Sequence, residues 1–224
     1  MPLAGEAVVA IWNGIRPEAR QAFYEWHCRE HMPERLAVPG FRRGRRLIAE
    51  RGGPEWFTLY EVDHPRALAW ADYLARLNAP TEWTRRVVPN FTDVTRSLCR
   101  VILSCGTGVG GYMATLRCDP TPGRSDELQD YLENLAKTAC DRPGIYGSHL
   151  CRLEREASLM PTEEKKSRAN PTIVAEYVLM IEAAVGDPLD DILAKDLARE
   201  RVTGAGASAD APSEAGLYRL EFLC

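Results

Sequence analysis

The residues of this sequence best suited to chemistry are two histidines four positions apart, His27 and His31. A neutral imidazole has an unperturbed pKa of about 6.5, so it can take a proton from a phenol or an enolisable carbon near neutral pH. The sequence therefore predicts His31 as a catalytic base, assisted by His27 or Tyr24. A solvent-facing histidine, favoured by the negative end of a helix dipole, is the competing interpretation.

The stretch from His27 to His31 also matches the H-x-x-E-H signature of certain zinc peptidases. Such peptidases need a third acidic ligand on a separate helix of a large domain, and a unit of about 100 residues supplies neither. We therefore exclude a peptidase. A looser metal site made of His27, His31 and the carboxylate of Glu30 or Glu34 stays open, while our leading hypothesis needs no cofactor.

A dense run of arginines follows, comprising Arg42, Arg43, Arg45 and Arg46. In a strand, alternation would point Arg43 and Arg45 to one face and Arg42 and Arg46 to the other. We predict that Arg45 steadies an oxyanion such as an enolate beside His31. A solvated edge or a salt bridge between two units is the competing role.

Aromatic residues are concentrated in the first half of the chain, where they could line a pocket for a small apolar or aromatic molecule. They are Trp12, Trp26, Trp56, Trp70, Trp83, Tyr24, Tyr60 and Tyr73. Ordinary core packing explains most of them equally well. Gly106, Gly108 and Gly111 match the G-x-G-x-x-G nucleotide motif, but a strand rather than a helix follows them, so we interpret them as a linker.

Composition narrows the classes of function. The chain has 224 residues, 45% of them hydrophobic, and a formal net charge of -4, which argues against nucleic acid or an anionic membrane as a partner. The N-terminus lacks the pattern of a signal peptide or a membrane span. Seven scattered cysteines without a C-x-x-C pair predict reduced thiols, with Cys99, Cys118 and Cys151 acting as small apolar residues. We expect a cytoplasmic protein.

The elements that must position these residues occur in the order βαββαβ, twice. The first copy is predicted as strand 7–12, helix 17–32 ended by Pro33, strand 45–50, strand 56–62, helix 65–77, a short extra helix 81–88 and strand 94–104. The second copy is predicted as strand 112–118, helix 126–139, strand 148–155, strand 173–181, helix 189–201 and strand 217–223.

These elements predict an α+β fold of two tandem ferredoxin-like units, residues 1–104 and 112–224, joined by a glycine-rich linker at 105–111. Each unit covers one face of its sheet with helices, so the two open faces are expected to pack together. Pro39-Gly40-Phe41 and Pro143-Gly144-Ile145 correspond at an offset of 104 residues. Two polar insertions, 156–170 and 203–216, are expected to be mobile and too hydrophilic to pack.

The run Trp26-His27-Cys28-Arg29-Glu30-His31-Met32-Pro33-Glu34-Arg35, followed by Val38-Pro39-Gly40-Phe41, resembles the dimeric α/β barrel superfamily, and within it the EthD-like group. Shared features are a helix ending in His-x-Pro and a Pro-Gly turn. The resemblance implies a barrel of two ferredoxin-like units. Because Tyr131 and Leu135 stand in the second half where His27 and His31 stand in the first, any site of this type belongs to the first repeat.

The superfamily includes cofactor-independent monooxygenases, polyketide cyclases and decarboxylases, muconolactone isomerase, haem-degrading enzymes and chlorite dismutases, so the fold alone does not select an activity. Our leading hypothesis is a cofactor-independent oxygenase, decarboxylase or cyclase acting on a small aromatic or polyketide-like substrate. The rival is a non-catalytic ligand-binding or assembly module, monomeric or paired as a homodimer. A third is a haem-binding or haem-degrading protein using Asn13, Trp56 and His64. A cavity at His31 filled by side chains would count against catalysis.

Overall fold

A computed structural model describes residues 3–168, 171–210 and 214–224, in which eight strands form one continuous sheet. The strands are β1 (Ala7–Ile15), β2 (Phe41–Arg51), β3 (Trp56–Val62), β4 (Phe91–Gly106), β5 (Tyr112–Cys118), β6 (Ile145–Leu153), β7 (Tyr177–Ala183) and β8 (Glu214–Leu223). They close into a barrel in the order β1-β3-β2-β8-β5-β7-β6-β4, and every neighbouring pair is antiparallel.

Short helices connect the strands on the outside of the barrel. They are α1 (Arg20–Trp26), α2 (Met32–Leu36), α3 (Ala71–Asn78), α4 (Glu82–Val87), α5 (Ser125–Ala139), α6 (Arg155–Leu159), α7 (Glu163–Lys166), α8 (Asp187–Asp191) and α9 (Arg199–Gly204). Two π-helical turns, His27–His31 and Ile192–Asp196, continue α1 and α8. Short 3₁₀ turns lie at Pro17–Ala19, Pro65–Ala69 and Val88–Asn90.

The barrel consists of two four-stranded sheets, one from each half of the chain. The first half contributes β4-β1-β3-β2 and the second contributes β8-β5-β7-β6. In both sheets the strands of that half therefore follow in the order fourth, first, third, second. The sheets are joined by the β2 to β8 and the β4 to β6 pairings. This arrangement confirms the predicted α+β fold of tandem ferredoxin-like units packed through their open faces.

Side-chain alternation divides the core into layers. On β1, Val8 and Trp12 point into the barrel, where Trp12 stacks on Phe57 at 4.5 Å between ring centroids. Val9 and Ile11 point outward, under the helices of the first half. Each fully buried large apolar side chain stabilises the fold by roughly 1.5–3 kcal/mol. The outer face of the first sheet and the helix over it therefore define the region in which His27 and His31 lie.

The two Pro-Gly turns are equivalent in conformation. Gly40 has φ +91 and Gly144 has φ +81, a region that favours glycine. A Cβ atom on Gly40 would lie 3.1 Å from the Cβ of Ala67, and one on Gly144 would lie 2.6 Å from Pro188. The match supports the internal duplication inferred from the sequence.

Pro33 does not end the first helix, contrary to the prediction. The backbone N–H of Met32 donates to the carbonyl of His27, five residues earlier, which widens the helix into a π turn. Pro33 then lies in the first turn of α2, where its missing N–H costs little, and the helix continues to Leu36.

Several other bounds differ. The predicted helix 65–77 is interrupted at Trp70, and the predicted helix 189–201 is divided between α8, its π turn and α9. β4 runs to Gly106, two residues into the predicted linker, because it pairs with both β1 and β6. Ile173 lies outside β7 and forms an isolated bridge with Thr95.

The first polar insertion packs, so that prediction is wrong. Ser158 Oγ accepts from the N–H of Leu98 at 2.9 Å and donates to its carbonyl at 3.1 Å, which fixes α6 on β4. In α7, Glu164 is buried and forms an ion pair with Arg35 of the first half. The predicted insertion ends with residues 169–170, which lie outside the described residues.

The second insertion also packs in part. α9 extends to Gly204, and Ala207 is buried against the core of the second half. Residues 211–213 lie outside the described ranges. Backbone hydrogen bonds to other segments also hold this loop: the N–H of Thr121, for example, donates to the carbonyl of Gly206. Such bonds fix a polar loop that has no apolar face.

Two cysteines are bonded, which corrects the prediction that all seven thiols are reduced. Cys105 and Cys140 form a disulfide between the end of β4 and the end of α5. The two cysteines are 35 residues apart and match no sequence motif, so only the tertiary structure shows that they are bonded. Cys99, Cys118 and Cys151 are free and buried, as predicted. No helix in the described part of the chain is long and apolar enough to cross a membrane.

Candidate functional site

Both predicted histidines are buried between the first helix and the outer face of β1 and β3. His27 is 3% exposed and His31 is 6% exposed. Their rings stack 5.6 Å apart, and the ring of Trp26 lies 4.3 Å from that of His31. The helix-end alternative, a histidine facing solvent, does not describe either residue.

The two imidazoles are held neutral. Burial, together with the neighbouring His31 and the Arg46 guanidinium, lowers the pKa of His27 well below its usual value. Burial, followed by the positive charges of three arginines, lowers the pKa of His31 in the same way. Arg46 Nη1 lies 3.3 Å from His27 Nδ1, and because arginine can only donate, this nitrogen of His27 accepts. Among the residues that the structure describes, none forms a hydrogen bond with His31 Nδ1.

Tyr24 lies one turn earlier and joins the same cluster through Arg46. Its hydroxyl donates to Glu221 Oε1 at 3.0 Å and accepts from Trp56 Nε1 at 3.4 Å. The guanidinium of Arg46 lies over its ring, 4.5 Å from the centroid. Tyr24 therefore positions Arg46, which in turn contacts His27.

Arg45 lies on the opposite face of the sheet and is not brought to the histidines. It points into the barrel, where its guanidinium contacts Glu61 at 3.1 Å and Glu182 at 2.8 Å. Arg43 also binds Glu61, so the predicted alternation is confirmed. Glu182 belongs to the second half, and hence Arg45 forms a buried salt bridge between the units, the competing role named above.

A small cavity of about 20 Å³, with both polar and apolar walls, lies beside the histidines. It is lined by Ile11, Asn13, Trp26, His27, His31, Thr58, Val88, Phe91, Glu164 and Arg168. Three polar atoms of these lining residues, His31 Nδ1, Thr58 Oγ1 and Arg168 Nε, are buried and have no hydrogen-bond partner within residues 3–168, 171–210 and 214–224. The free volume has room for one water-sized group, and unpaired polar atoms around it favour a polar occupant.

Glu164 and Arg168 were missed by sequence reasoning. They belong to the second half, in the polar insertion that was expected not to pack, yet they line the cavity of the first half. The composition of the insertion gives no signal for this contact, because it depends on where α7 docks. In the second half, the two residues at the positions of the histidines have structural roles. Tyr131 donates to the carbonyl of Asp196, and Leu135 lies in the core.

The residues of the alternative metal site, the two histidines with Glu30 or Glu34, do not form one cluster. The carboxylate of Glu30 accepts from Thr81 at 2.5 Å, and that of Glu34 faces Arg35 and Arg76. Among residues 3–168, 171–210 and 214–224, no group of three or more His, Cys, Asp and Glu side chains is arranged to hold a metal. His64 is exposed and accepts from the N–H of Arg66.

The haem alternative combines residues that lie apart. Asn13 and Trp56 are cross-strand neighbours at one end of β1 and β3, and Asn13 lines the small cavity. His64 follows the other end of β3. The three residues therefore do not form one site in this arrangement.

A larger pocket, about 610 Å³, opens at one end of the barrel. Its walls include Gly52, Pro54, Asp93, Arg117 and Glu214. None of the site residues predicted from the sequence lines it. The pocket is separate from the histidines and provides a second place where a small molecule could bind.

Solved structures share this fold. A candidate monooxygenase from Fusobacterium nucleatum subsp. nucleatum matches with a TM-score of 0.59 and 8% identity over 99% of this chain and 95% of its own. An anthrone oxidase-like protein matches with a TM-score of 0.63 and 13% identity over 97% and 92%. A candidate monooxygenase from Lactobacillus acidophilus matches with a TM-score of 0.58 and 10% identity over 98% and 96%.

These similarities define the class of fold. No family model and no curated protein matches the sequence. At 8% to 13% identity, the solved structures show the fold alone. The chain has the ferredoxin-like dimeric α/β barrel fold, with both units in one polypeptide that closes an eight-stranded barrel.

Proposed function

We propose that this protein is a cofactor-independent oxygenase that acts on a small aromatic or polyketide-like substrate with an acidic C–H or O–H group. The observation that carries the proposal is the neutral, buried imidazole of His31, whose Nδ1 has no hydrogen-bond partner among the described residues and which lines a small cavity. A neutral imidazole in that position can accept a proton when the substrate anion that forms beside it offsets the positive charge that otherwise keeps His31 unprotonated. The names of the structural neighbours, candidate monooxygenases and an anthrone oxidase-like protein, agree with this class of reaction.

The proposed chemistry uses dioxygen as the co-reactant. His31 takes a proton from an activated CH2 group, and the resulting carbanion gives its electrons to O2, with a C–O bond forming. Protonation of the peroxide and loss of water leave a ketone, so that CH2 and O2 become C=O and H2O. His27 lies against His31, and Arg46 supplies positive charge to that pair, as residues that position rather than replace the base.

Access to the site requires movement of the second half's insertion. The cavity of about 20 Å³ admits one small group, and Glu164 and Arg168 form part of its wall. α7 is held mainly by polar contacts, including that of Glu163 N–H with Asn78 Oδ1 at 3.2 Å. A shift of α7 that leaves Arg168, two residues beyond the end of this helix, at the cavity would open the space next to His31 for a ring.

The test uses one substrate panel and two histidine variants. Phenols and ketones with an activated CH2 are incubated with the protein, and O2 consumption and product mass are measured. His31→Gln is expected to abolish turnover, while His64→Gln, at an exposed histidine of the same half, keeps it. Without O2, wild type should exchange the substrate CH2 protons with D2O, and His31→Gln should not. CO2 release or ring closure without O2 consumption would instead assign decarboxylation or cyclisation.

The second candidate is a non-catalytic module, and the small size of the cavity favours it. In that case the buried histidines are core residues, and the barrel-end pocket is the place for a ligand. This alternative predicts neither O2 consumption nor proton exchange with any member of the panel. Equal exchange by wild type and His31→Gln would also contradict the proposed role of His31.

A further inference from the structure

The cavity beside His31 is surrounded by buried cations. Arg35 and Arg96 are each 3% exposed, and the side chain of Arg168 is likewise 3% exposed. Glu164 forms an ion pair with Arg35 and contacts Arg168 at 3.4 Å. Arg96 instead donates to the neutral hydroxyl of Tyr73 at 2.5 Å. Glu164 is thus the buried carboxylate that two of these three guanidinium groups contact, while the third has a hydroxyl partner.

The remaining charged neighbours do not remove this excess. Glu34 is partly exposed, lies 3.6 Å from Arg35 and is shared with Arg76 at 3.8 Å. Lys165 is a further cation whose pKa falls to about 8, first because of burial and then because Arg96 and Arg168 repel its charge. The same two arginines and Arg35 contribute to the lowered pKa of His31. Independent groups on two elements therefore experience a positive potential.

One of these cations is directed to the cavity without a full set of partners. Arg168 lines the cavity, and its Nε is buried with no hydrogen-bond partner in the part of the chain that the structure describes. Thr58 Oγ1 and His31 Nδ1, also unpartnered, line the same space. Leaving a buried donor without an acceptor is unfavourable, so an acceptor that completes its hydrogen bonding is favoured. A group that carries negative charge is favoured further, because the surroundings are cationic and poorly solvated.

We infer that this cavity binds the anionic oxygen of a phenolate or enolate, and that the second half of the chain supplies Arg168 as the residue that selects it. This inference rests on the proposed function and names the form in which its substrate binds. The volume fits one oxygen, with the attached ring in the space that α7 covers. Glu164 opposes the anion, and it holds Arg35 and Arg168 in place.

The two charged residues of the insertion should act in opposite directions. Replacing Arg168 removes a cation that faces the bound oxygen, so binding of the anionic form weakens. Replacing Glu164 with Gln removes the nearest negative charge, so preference for the anion increases. A merely structural role for the pair would not give effects of opposite sign on the charge state of a ligand.

The experiment uses 4-nitrophenol, whose ionised form absorbs visible light and whose neutral form does not. Its absorbance is titrated against pH, free and with saturating full-length protein. Wild type is expected to bind phenolate at least about tenfold more tightly than the neutral phenol, seen as a lower apparent pKa of the bound dye. Arg168→Gln should reduce the preference by about tenfold. Glu164→Gln should increase it.

Controls separate this effect from folding and from other sites. Arg155→Gln removes an exposed arginine of the same segment, which pairs with Glu176 at 2.7 Å, and should leave the preference unchanged. If Glu164→Gln fails to fold, Lys165→Gln takes its place and should lower the preference, since it removes a cation without breaking the Arg35 ion pair. Circular dichroism establishes that each variant is folded.

Three results would overturn the inference. They are tighter binding of the neutral dye than of the phenolate, no binding of either form, and a phenolate preference that is the same in Arg168→Gln and wild type. The last result would also indicate binding elsewhere, such as the barrel-end pocket. Because the dye measures equilibrium binding, failure of the proposed function is recognised separately. A phenolate preference without turnover of any panel compound rejects only the function, and turnover with a preference for the neutral dye rejects only this inference.

Discussion

Acidification should destabilise this protein through two histidines before its carboxylates are affected. Both His27 and His31 are buried and neutral, with folded-state pKa values well below the ordinary value of about 6.5. The unfolded chain therefore binds protons that the folded chain does not, as soon as the pH falls through about 6.5. Stability is fully present above this pH and is lost progressively below it.

The magnitude follows from proton linkage. Each histidine that is protonated only in the unfolded state lowers the free energy of unfolding by about 1.4 kcal/mol per pH unit, so two give about 2.7 kcal/mol per unit once the pH is well below 6.5. The folded pKa of Glu182 is about 2, lowered from 4.5: burial opposes the shift, but His149 and Arg45 outweigh it. That carboxylate contributes only below about pH 4.5, so it adds nothing to the slope between pH 6.5 and 5.

Urea unfolding at intervals of half a pH unit measures this slope. His27→Gln and His31→Gln should each remove about half of the slope between pH 6 and 5, whatever they do to stability at pH 8. His64→Gln, at an exposed position, serves as the matched control and should leave the slope nearly intact. A wild-type slope near zero in this interval, or an undiminished slope in both site variants, would refute the conclusion that the two imidazoles are held neutral.

Three further changes test the fold. Arg45→Met leaves two buried carboxylates of different halves without their shared cation and should lower the urea-derived free energy of unfolding by about 3–5 kcal/mol; the exposed Arg42→Met should cost less than about 1 kcal/mol, and equal costs would contradict the account. Cys140→Ser removes the disulfide to Cys105 and should lower the free energy of unfolding by about 4 kcal/mol. Calorimetry checks this result against the reduced wild type, which should unfold at the same temperature as the variant. Thr81→Ala removes the cap of α4 and should cost about 1 kcal/mol in urea, an unchanged midpoint arguing against the cap.

Local patterns in the sequence were sufficient for much of the fold. The bounds of β3, Trp56–Val62, and of β5, Tyr112–Cys118, were predicted at the observed residues, because each is a continuous run without Gly or Pro. The Pro-Gly turns marked the duplication, since Gly40 and Gly144 need the same positive φ. The prediction that Pro33 ends the first helix was wrong because a single shifted hydrogen bond, from Met32 to His27, lets the helix continue past the proline.

The site was only half predictable from sequence. Alternation separated Arg45 from Arg46 correctly, but nothing in the run shows which face lies under the helix, so the cation beside the histidines was assigned to Arg45 rather than Arg46. Arg168 is far from His31 in sequence and reaches the cavity only because α6 and α7 dock on the first half. The second half therefore does more than support the first, since it forms a wall of the candidate site.

A crystal structure of the protein with a bound phenol such as 4-nitrophenol would show directly whether His31 and Arg168 form the binding site. The account predicts that the phenolic oxygen lies in the cavity beside His31 and Arg168, with the ring between the first helix and the sheet and α7 shifted only far enough to admit the ring. A ligand found only in the barrel-end pocket near Arg117, with the cavity at His31 still closed, would contradict it.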